Sequence, residues 1–165
     1  MVYERQRQHI FQGQKMTTIE NRKARHDYEI IESYEAGLEL IGSEVKSIRA
    51  GKASIKEAFA RVVRGRELWL FGMHIARYGN TDVRLAPDEK RSRRLLMHKK
   101  EIQKIAERVQ LERLTIVALR VYLNSRNRIK VMIALGRGKK LHDKRQAIKE
   151  RDTKIDLSRV MKRAR

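Results

Sequence analysis

Two long segments of strict alternation narrow the fold more than anything else in this chain. Thr115, Val117, Leu119, Val121 and Leu123 fall at every second position, and so do Ile129, Val131, Ile133 and Leu135. Successive side chains of a strand point to opposite faces, so each series lays one row of side chains on one face. Asn124-Ser-Arg-Asn127 lies between them and supplies turn residues, so the two segments are expected to pair as an antiparallel hairpin.

Earlier stretches repeat the pattern more weakly. Glu57 to Met73 reads as a hairpin turning at Arg64-Gly-Arg66. Within it Trp69 and Phe71 share one face while Leu68 and Leu70 share the other, which predicts a strand buried on both sides of a closed or nearly closed barrel. Trp69 is able to stack on a base, but packing inside the protein is the favoured reading. His26 to Leu40 reads as another hairpin, with Tyr28, Ile30 and Tyr34 at even spacing, a turn at Glu35-Ala-Gly37, and Leu38 and Leu40 beyond it. Leu95-Leu-Met97 is a short strand. Ser43 to Gly51 is expected to be helical, with Ser43 as N-cap, Glu44 in the first turn, and Val45 and Ile48 on one face. Lys99 to Leu111 is the clearest helix, with Ile102, Ile105, Ala106 and Val109 in one stripe. The sum is a mainly β fold: a small antiparallel barrel of the OB type, with about six strands and two or three helices.

Charge restricts the partner. Lys and Arg number 40 against 20 Asp and Glu, giving a net charge of +20. Such a surplus favours a phosphate backbone, whose neutralisation releases counterions and makes binding salt-sensitive. A membrane is disfavoured because no apolar run approaches the roughly 20 residues that span a bilayer. The first 21 residues lack the apolar core of a secretory signal. Cysteine is absent, which excludes disulfides and thiolate metal sites and fits a cytoplasmic setting. The basic run Arg22-Lys-Ala-Arg25 serves equally as a solvated lead-in to the first strand or as a phosphate clamp. Residues 76–94 are expected to form an exposed cationic loop ending in Lys90-Arg-Ser-Arg-Arg94.

Three segments follow: an N-terminal extension over 1–20, expected to be disordered; a barrel over 21–136; and a basic tail over 137–165. The tail has little to build a core from and is expected to be disordered when free. Leu157, Val160, Met161 and Ala164 nevertheless repeat at i, i+3, i+4 and i+7, so a latent amphipathic helix is present. Folding on a partner is favoured over docking onto the chain's own barrel.

Catalytic signals are lacking. His9, His26, His74, His98 and His142 show no metal-ligand spacing, and no acid–base or nucleophile set is marked. Gly136-Arg-Gly-Lys-Lys140 lacks the spacing and following Ser or Thr of a phosphate loop. No metal, no cofactor and no enzymatic activity are expected, and an RNA-processing enzyme is the least favoured class.

Several segments together resemble a known family. Asn21-Arg-Lys-Ala-Arg-His-Asp-Tyr28, Tyr34-Glu-Ala-Gly37, Gly42-Ser-Glu-Val-Lys-Ser-Ile-Arg-Ala-Gly-Lys52, Arg94-Leu-Leu-Met-His-Lys99 and Gly138-Lys-Lys-Leu-His-Asp-Lys-Arg145 are similar, in this order, to SmpB, the SsrA-binding (tmRNA-binding) protein family of bacteria. The resemblance covers about residues 21–165. Phe59 stands where the family commonly has Tyr, and Gly136 where it commonly has Ala.

The resemblance implies an OB-type barrel that binds the tRNA-like domain of tmRNA and delivers it to stalled ribosomes in trans-translation. It implies a tail that senses the vacant decoding site and folds into a helix along the mRNA channel of the small ribosomal subunit. Elongation factor Tu and alanyl-tRNA synthetase act on the same RNA and are functional neighbours. By position it assigns Asn21, Arg22, Lys23, Arg25, Glu35, Lys46 and Leu95 to tmRNA binding. Gly138, Lys139, Lys140, His142, Asp143, Lys144 and Arg145 fall to the decoding site, where His142 is placed to stack. Leu157, Val160 and Met161 belong to the tail helix. Glu35, a carboxylate beside RNA, is expected to accept from base amino groups or to orient a neighbouring lysine. The competing class is a general ribosomal or rRNA-binding protein without a rescue role.

Overall fold

The computed structural model describes residues 18–79 and 87–139. The elements run β1 (Ile19–Glu20), α1 (Arg22–Asp27), β2 (Tyr28–Leu38), α2 (Gly42–Arg49), β3 (Ala53–Ser54), β4 (Phe59–Val63), β5 (Glu67–Phe71), β6 (His74–Ile75), β7 (Arg93–Leu96), α3 (Lys99–Glu112), β8 (Thr115–Leu123) and β9 (Ile129–Gly138). Pairing runs β8-β4-β5-β7-β2-β9, and β9 returns to β8, so six antiparallel strands close a ring. β1 adds to β8, while β3 and β6 form a separate two-stranded sheet. The expected mainly β barrel of the OB type is the architecture found.

The two predicted C-terminal strands form the hairpin, with Asn124 Oδ1 accepting from the backbone N–H groups of Arg126 and Arg128 at 3.0 and 2.9 Å. In β9 the expected row Ile129, Val131, Ile133 and Leu135 faces the interior, whereas the even alternation read for β8 does not hold along the whole strand. Pairing of β8 with β9 shifts between Ala118 and Arg120, and pairing of β2 with β9 shifts between Ile30 and Glu32. Each shift inserts one extra residue, and with a period of two that reverses which face the following residues occupy. In β8 the barrel interior therefore receives Ile116, Ala118 and then Val121, while Val117 and Leu119 point outward. In β2 it receives Tyr34, Ala36 and Leu38, while Tyr28 and Ile30 point outward. The outward set gathers with Ala134 and Met132 into a second apolar patch outside the barrel, and Ala24 of α1 covers it.

Four further expectations change. Glu35-Ala-Gly37 is no turn: β2 runs unbroken past it between β9 and β7, and a Cβ on Gly37 would lie 3.1 Å from the Leu96 Cβ, so glycine there permits close strand approach. Ile19 and Glu20 form a strand rather than belonging wholly to a disordered extension. Ser43 is not an N-cap; α2 starts at Gly42, and Glu44 accepts from the Ile41 N–H at 3.0 Å. Trp69 and Phe71 are only half-buried, because that face of β5 looks outward. The β4–β5 turn does fall at Arg64-Gly-Arg66, with Arg64 and Gly65 both at positive φ. β9 continues to Gly138, so the strand carries the barrel two residues beyond Gly136.

The largest change concerns Lys90-Arg-Ser-Arg-Arg94. Arg93 is 0% exposed and Glu44, its partner, 3%. Arg93 Nε donates to Glu44 Oε1 at 2.9 Å, its Nη1 to the carbonyls of Met73 and Arg91 at 2.7 and 2.9 Å, and its Nη2 to the Glu89 carbonyl at 3.0 Å. Arg91 Nη2 closes on Glu44 Oε2 at 2.6 Å. One carboxylate on α2 thus locks the start of β7 and the chain before it. A buried guanidinium is tolerated only with its donors satisfied, and here carbonyls and carboxylate take them. Burial alone would raise the Glu44 carboxyl, but Arg91, the Ile41 N–H and Arg93 outweigh it and hold it below the usual value.

Glu44→Gln leaves Arg93 buried without a counter-charge, so a loss of about 3–5 kcal/mol in unfolding free energy is expected from urea denaturation. A carboxyl held below its unfolded pKa stabilises above that pKa and ceases to as pH falls through the folded value. The wild-type chain should therefore lose stability progressively below about pH 4.3, with Glu44→Gln showing a smaller loss over the same range.

Candidate nucleic-acid interface

α1 is too short to persist alone, since a helix of fewer than about 12 residues is marginal in water. Asn21 holds it in place. Its Oδ1 accepts from the Ala24 N–H at 3.0 Å as an N-cap, and its Nδ2 donates to the carbonyls of Ile55 and Ala118 at 2.8 and 3.0 Å. The Asn21 N–H donates to the Leu119 carbonyl at 2.8 Å. This 2%-exposed side chain is bonded on both its oxygen and its nitrogen within the protein, so Asn21 positions the helix at the edge of the groove. With Ala24 facing the barrel, Arg22, Lys23 and Arg25 are left exposed on a single short helix. The basic run is a helix, not the lead-in to a strand, and the sequence lacks apolar periodicity long enough to reveal it.

An open groove runs from α1 to β4, lined in part by Lys23, Tyr28, Lys56, Phe59 and Arg61. Lys56 and Arg61 lie more than 30 residues from Lys23 in sequence and carry no local signature. Only the pairing of β4 with β8, beneath α1, brings them there. Asp27 and Glu57 also line the groove, so its charge is mixed rather than purely cationic.

Glu35 is exposed on β2 and accepts a hydrogen bond from the Tyr122 hydroxyl, while Lys130 Nζ lies 3.4 Å from its Oε1. Of the two roles weighed for Glu35, orienting a lysine has a partner in place. Lys130 and Tyr122 carry no signal of their own in the sequence; both are cross-strand neighbours on β8 and β9, and register alone identifies them. Arg120 stands beside them, its guanidinium 5.1 Å from the Tyr122 ring centroid. Leu95 is 1% exposed, opposite Leu68 and Leu38, and packs in the barrel core. Lys46 is exposed on α2 with its Nζ 5.6 Å from the Tyr78 ring centroid, next to the β3–β6 pair rather than on α1.

Gly138 pairs with Tyr28, and the Lys139 N–H donates to the Asp27 carbonyl at 3.0 Å. The chain therefore leaves the barrel beside the last residue of α1. Lys140, His142, Asp143, Lys144, Arg145, Leu157, Val160 and Met161 lie outside the described residues.

Other ionic clusters are structural. Arg108 bridges Glu112 at 2.8 Å and pairs with Glu32, tying α3 to β2, and lowers the Glu112 carboxyl. His74 meets Glu89 at 2.9 Å and, with the Arg77 N–H, lowers that carboxyl. Among the described residues no three His, Cys, Asp or Glu gather as a metal site. No described helix is long and apolar enough to cross a membrane.

Comparison with known proteins identifies the architecture. The family model described as SmpB protein matches residues 18–163. The chain is 48% identical to an SsrA-binding protein of Campylobacter fetus subsp. fetus, across 87% of this chain and 94% of that one. It is 50% identical to an SsrA-binding protein of Synechococcus sp. (strain JA-3-3Ab), across 88% and 94%. A solved chain described under "tmRNA-SmpB: a journey to the center of the bacterial ribosome" superposes with a TM-score of 0.64 at 44% identity, covering 80% of this chain and 94% of that one. By the span of that family model and the identity of these relatives, this chain belongs to the SmpB protein family.

Proposed function

We propose that this chain binds the tRNA-like domain of tmRNA and delivers it to stalled ribosomes in trans-translation. The observation that carries the reading is the SmpB match over residues 18–163, which takes in both the barrel and the basic tail. The structural relative, by its description, concerns tmRNA-SmpB and the bacterial ribosome, which supports both partners. The chain acts by binding, and the setting of its partners is the cytoplasm.

The physical division of labour follows from the two parts. An A-form major groove is too deep and narrow for side chains to read, so a folded RNA is recognised by shape, phosphates and exposed loops. A rigid barrel presenting Arg22, Lys23 and Arg25 on an anchored helix suits that task, with Lys130 held by Glu35 as an added cation on the outer barrel face. Lys46 is assigned to a separate contact, because α2 stands apart from α1. The motif Gly138, Lys139, Lys140, His142, Asp143, Lys144 and Arg145 is assigned to the decoding site, with His142 stacking on a base and the lysines on phosphates. Leu157, Val160 and Met161 are assigned to a helix that forms only in an mRNA channel free of message. A message in the channel would exclude it sterically, so the tail reports its absence. Elongation factor Tu and alanyl-tRNA synthetase enter as proteins acting on the same RNA.

Reversing Lys23 and Arg25 to Glu should weaken tmRNA binding at least about tenfold near physiological salt. The log–log salt slope should become shallower by about 0.7–0.9 for each phosphate that the chain no longer neutralises. Unchanged affinity and slope in a filter-binding titration would remove α1 from the interface.

Truncation should be made after Lys139, because Gly136 to Gly138 belong to β9 and Lys139 bonds to Asp27. That truncated chain should bind tmRNA nearly as well as the full chain but fail to support peptide tagging on stalled ribosomes. Tagging by the truncated chain would refute the sensing role, and loss of tmRNA affinity would favour a general rRNA-binding protein whose basic tail supplies the binding. Replacing Val160 and Met161 together by Asp should spare tmRNA affinity and reduce tagging; normal tagging would count against a distal helix.

A further inference from the structure

The outward face of β4, β5 and β7 carries a cluster of aromatic and arginine side chains to which the reading above gives no role. Register sets Arg61 opposite Trp69 and Trp69 opposite Arg94, so a guanidinium-bearing residue flanks the indole on either side. In the next row Phe59 lies opposite Phe71, and their rings stack with centroids 5.6 Å apart and planes 20° from parallel. The Arg61 guanidinium sits 5.1 Å from the Phe59 ring centroid. Glu67, the one acid of the group, accepts from Trp69 Nε1 at 3.1 Å and pairs with Arg94 Nη2 at 3.3 Å. The alternate residues Ala60, Leu68 and Leu70 fill the core, so the strand period turns all three aromatic side chains to the surface, where each is half-buried.

Three partly exposed aromatics in adjacent rows form clustered apolar surface, and such a cluster among charged residues suits a binding face. Interleaved arginines restrict what it binds. Every nucleobase offers a π-face to an aromatic side chain, while guanidinium groups meet the phosphates between bases. Phe59 and Arg61 also border the groove of mixed charge that holds Lys23 and Lys56, so the platform is continuous with it. A second copy of a chain carrying +20 would be repelled from such a face.

We propose that Phe59, Trp69 and Phe71, with Arg61 and Arg94, form a stacking platform for a short run of unpaired RNA nucleotides. It rests on the RNA-binding reading but adds a second kind of contact: α1 meets phosphates of a folded RNA, whereas this face takes bases that have left a helix.

The chain holds a single tryptophan, so emission from Trp69 reports directly on the platform. The full chain is titrated with a short oligouridylate, an RNA duplex of equal length, and heparin, which carries charge without bases. Oligouridylate should quench the emission, the duplex should quench it less, and heparin should bind without quenching. With a labelled oligouridylate, Phe59→Leu and Trp69→Leu should each lower affinity at least about fivefold, while Phe59→Tyr retains it. Thermal unfolding establishes that the variants are folded; should one not fold, the quenching of the unaltered chain decides. Saturable oligouridylate binding with unchanged emission, equal quenching by duplex and single strand, or unchanged affinity in the folded leucine variants would overturn the platform and leave that face to a protein partner. Such a result, with tmRNA binding still weakened by reversal of Lys23 and Arg25, would leave the α1 reading standing.

Discussion

Strand β9 is paired along both edges, to β2 on one side and β8 on the other, and the rest of the molecule depends on that double pairing. It closes the ring and removes the free edges that an open sheet would present. The two register shifts lie in the strands flanking β9. Each reverses the side-chain phase of its strand, so the same three strands furnish the barrel interior and an apolar patch outside it. That outer patch requires a cover, and α1 supplies it through Ala24. The cations of α1 are thus held at a fixed place because a hydrophobic surface beneath them has to be buried.

A second lock sits at β7, one strand beyond β2 in the ring. Glu44 draws Arg91 and Arg93 to α2, which fixes where β7 begins and therefore how it enters between β5 and β2. Replacing such a group by well-packed apolar residues is often neutral in stability, so the arrangement is better understood as setting register than as adding strength. Arg94, next in the chain, then faces outward beside Trp69, so a buried arginine sets the position of an exposed one.

Local periodicity made the β8–β9 hairpin, the β4–β5 hairpin and α3 legible from sequence, because each depends on near neighbours along the chain. Features that depend on distant partners were not. Nothing near Arg93 distinguishes it from Arg91 or Arg94; only Glu44, 49 residues away, draws it inward. Tyr28, Ile30 and Tyr34 look like one row until the extra residue before Glu32 divides them between two faces. The six-residue α1 has no periodicity of its own and is a helix because Asn21 caps it and Ala24 has a patch to cover. At the candidate interface, Arg22, Lys23 and Arg25 stand out by charge and lie exposed; Glu35, Asn21 and Leu95 were marked by the resemblance alone, and of these Glu35 is exposed while Asn21 and Leu95 are buried. Lys56, Arg61, Tyr122 and Lys130 join the site through register alone. The family resemblance rests on segments that include both α1 and the Glu44 helix, the elements tied most tightly to the barrel.

In the proposed function, one outer face of a closed barrel, built around α1, meets tmRNA before the tail is engaged. Hydrogen exchange on the full chain, followed by mass spectrometry with and without tmRNA and in the absence of ribosomes, tests it most directly. Slowed exchange is expected in Arg22 to Asp27 and in the adjoining parts of β2, β8 and β9, with exchange after Lys139 unchanged by tmRNA. Slowed exchange confined to that segment, with α1 unchanged, would contradict it.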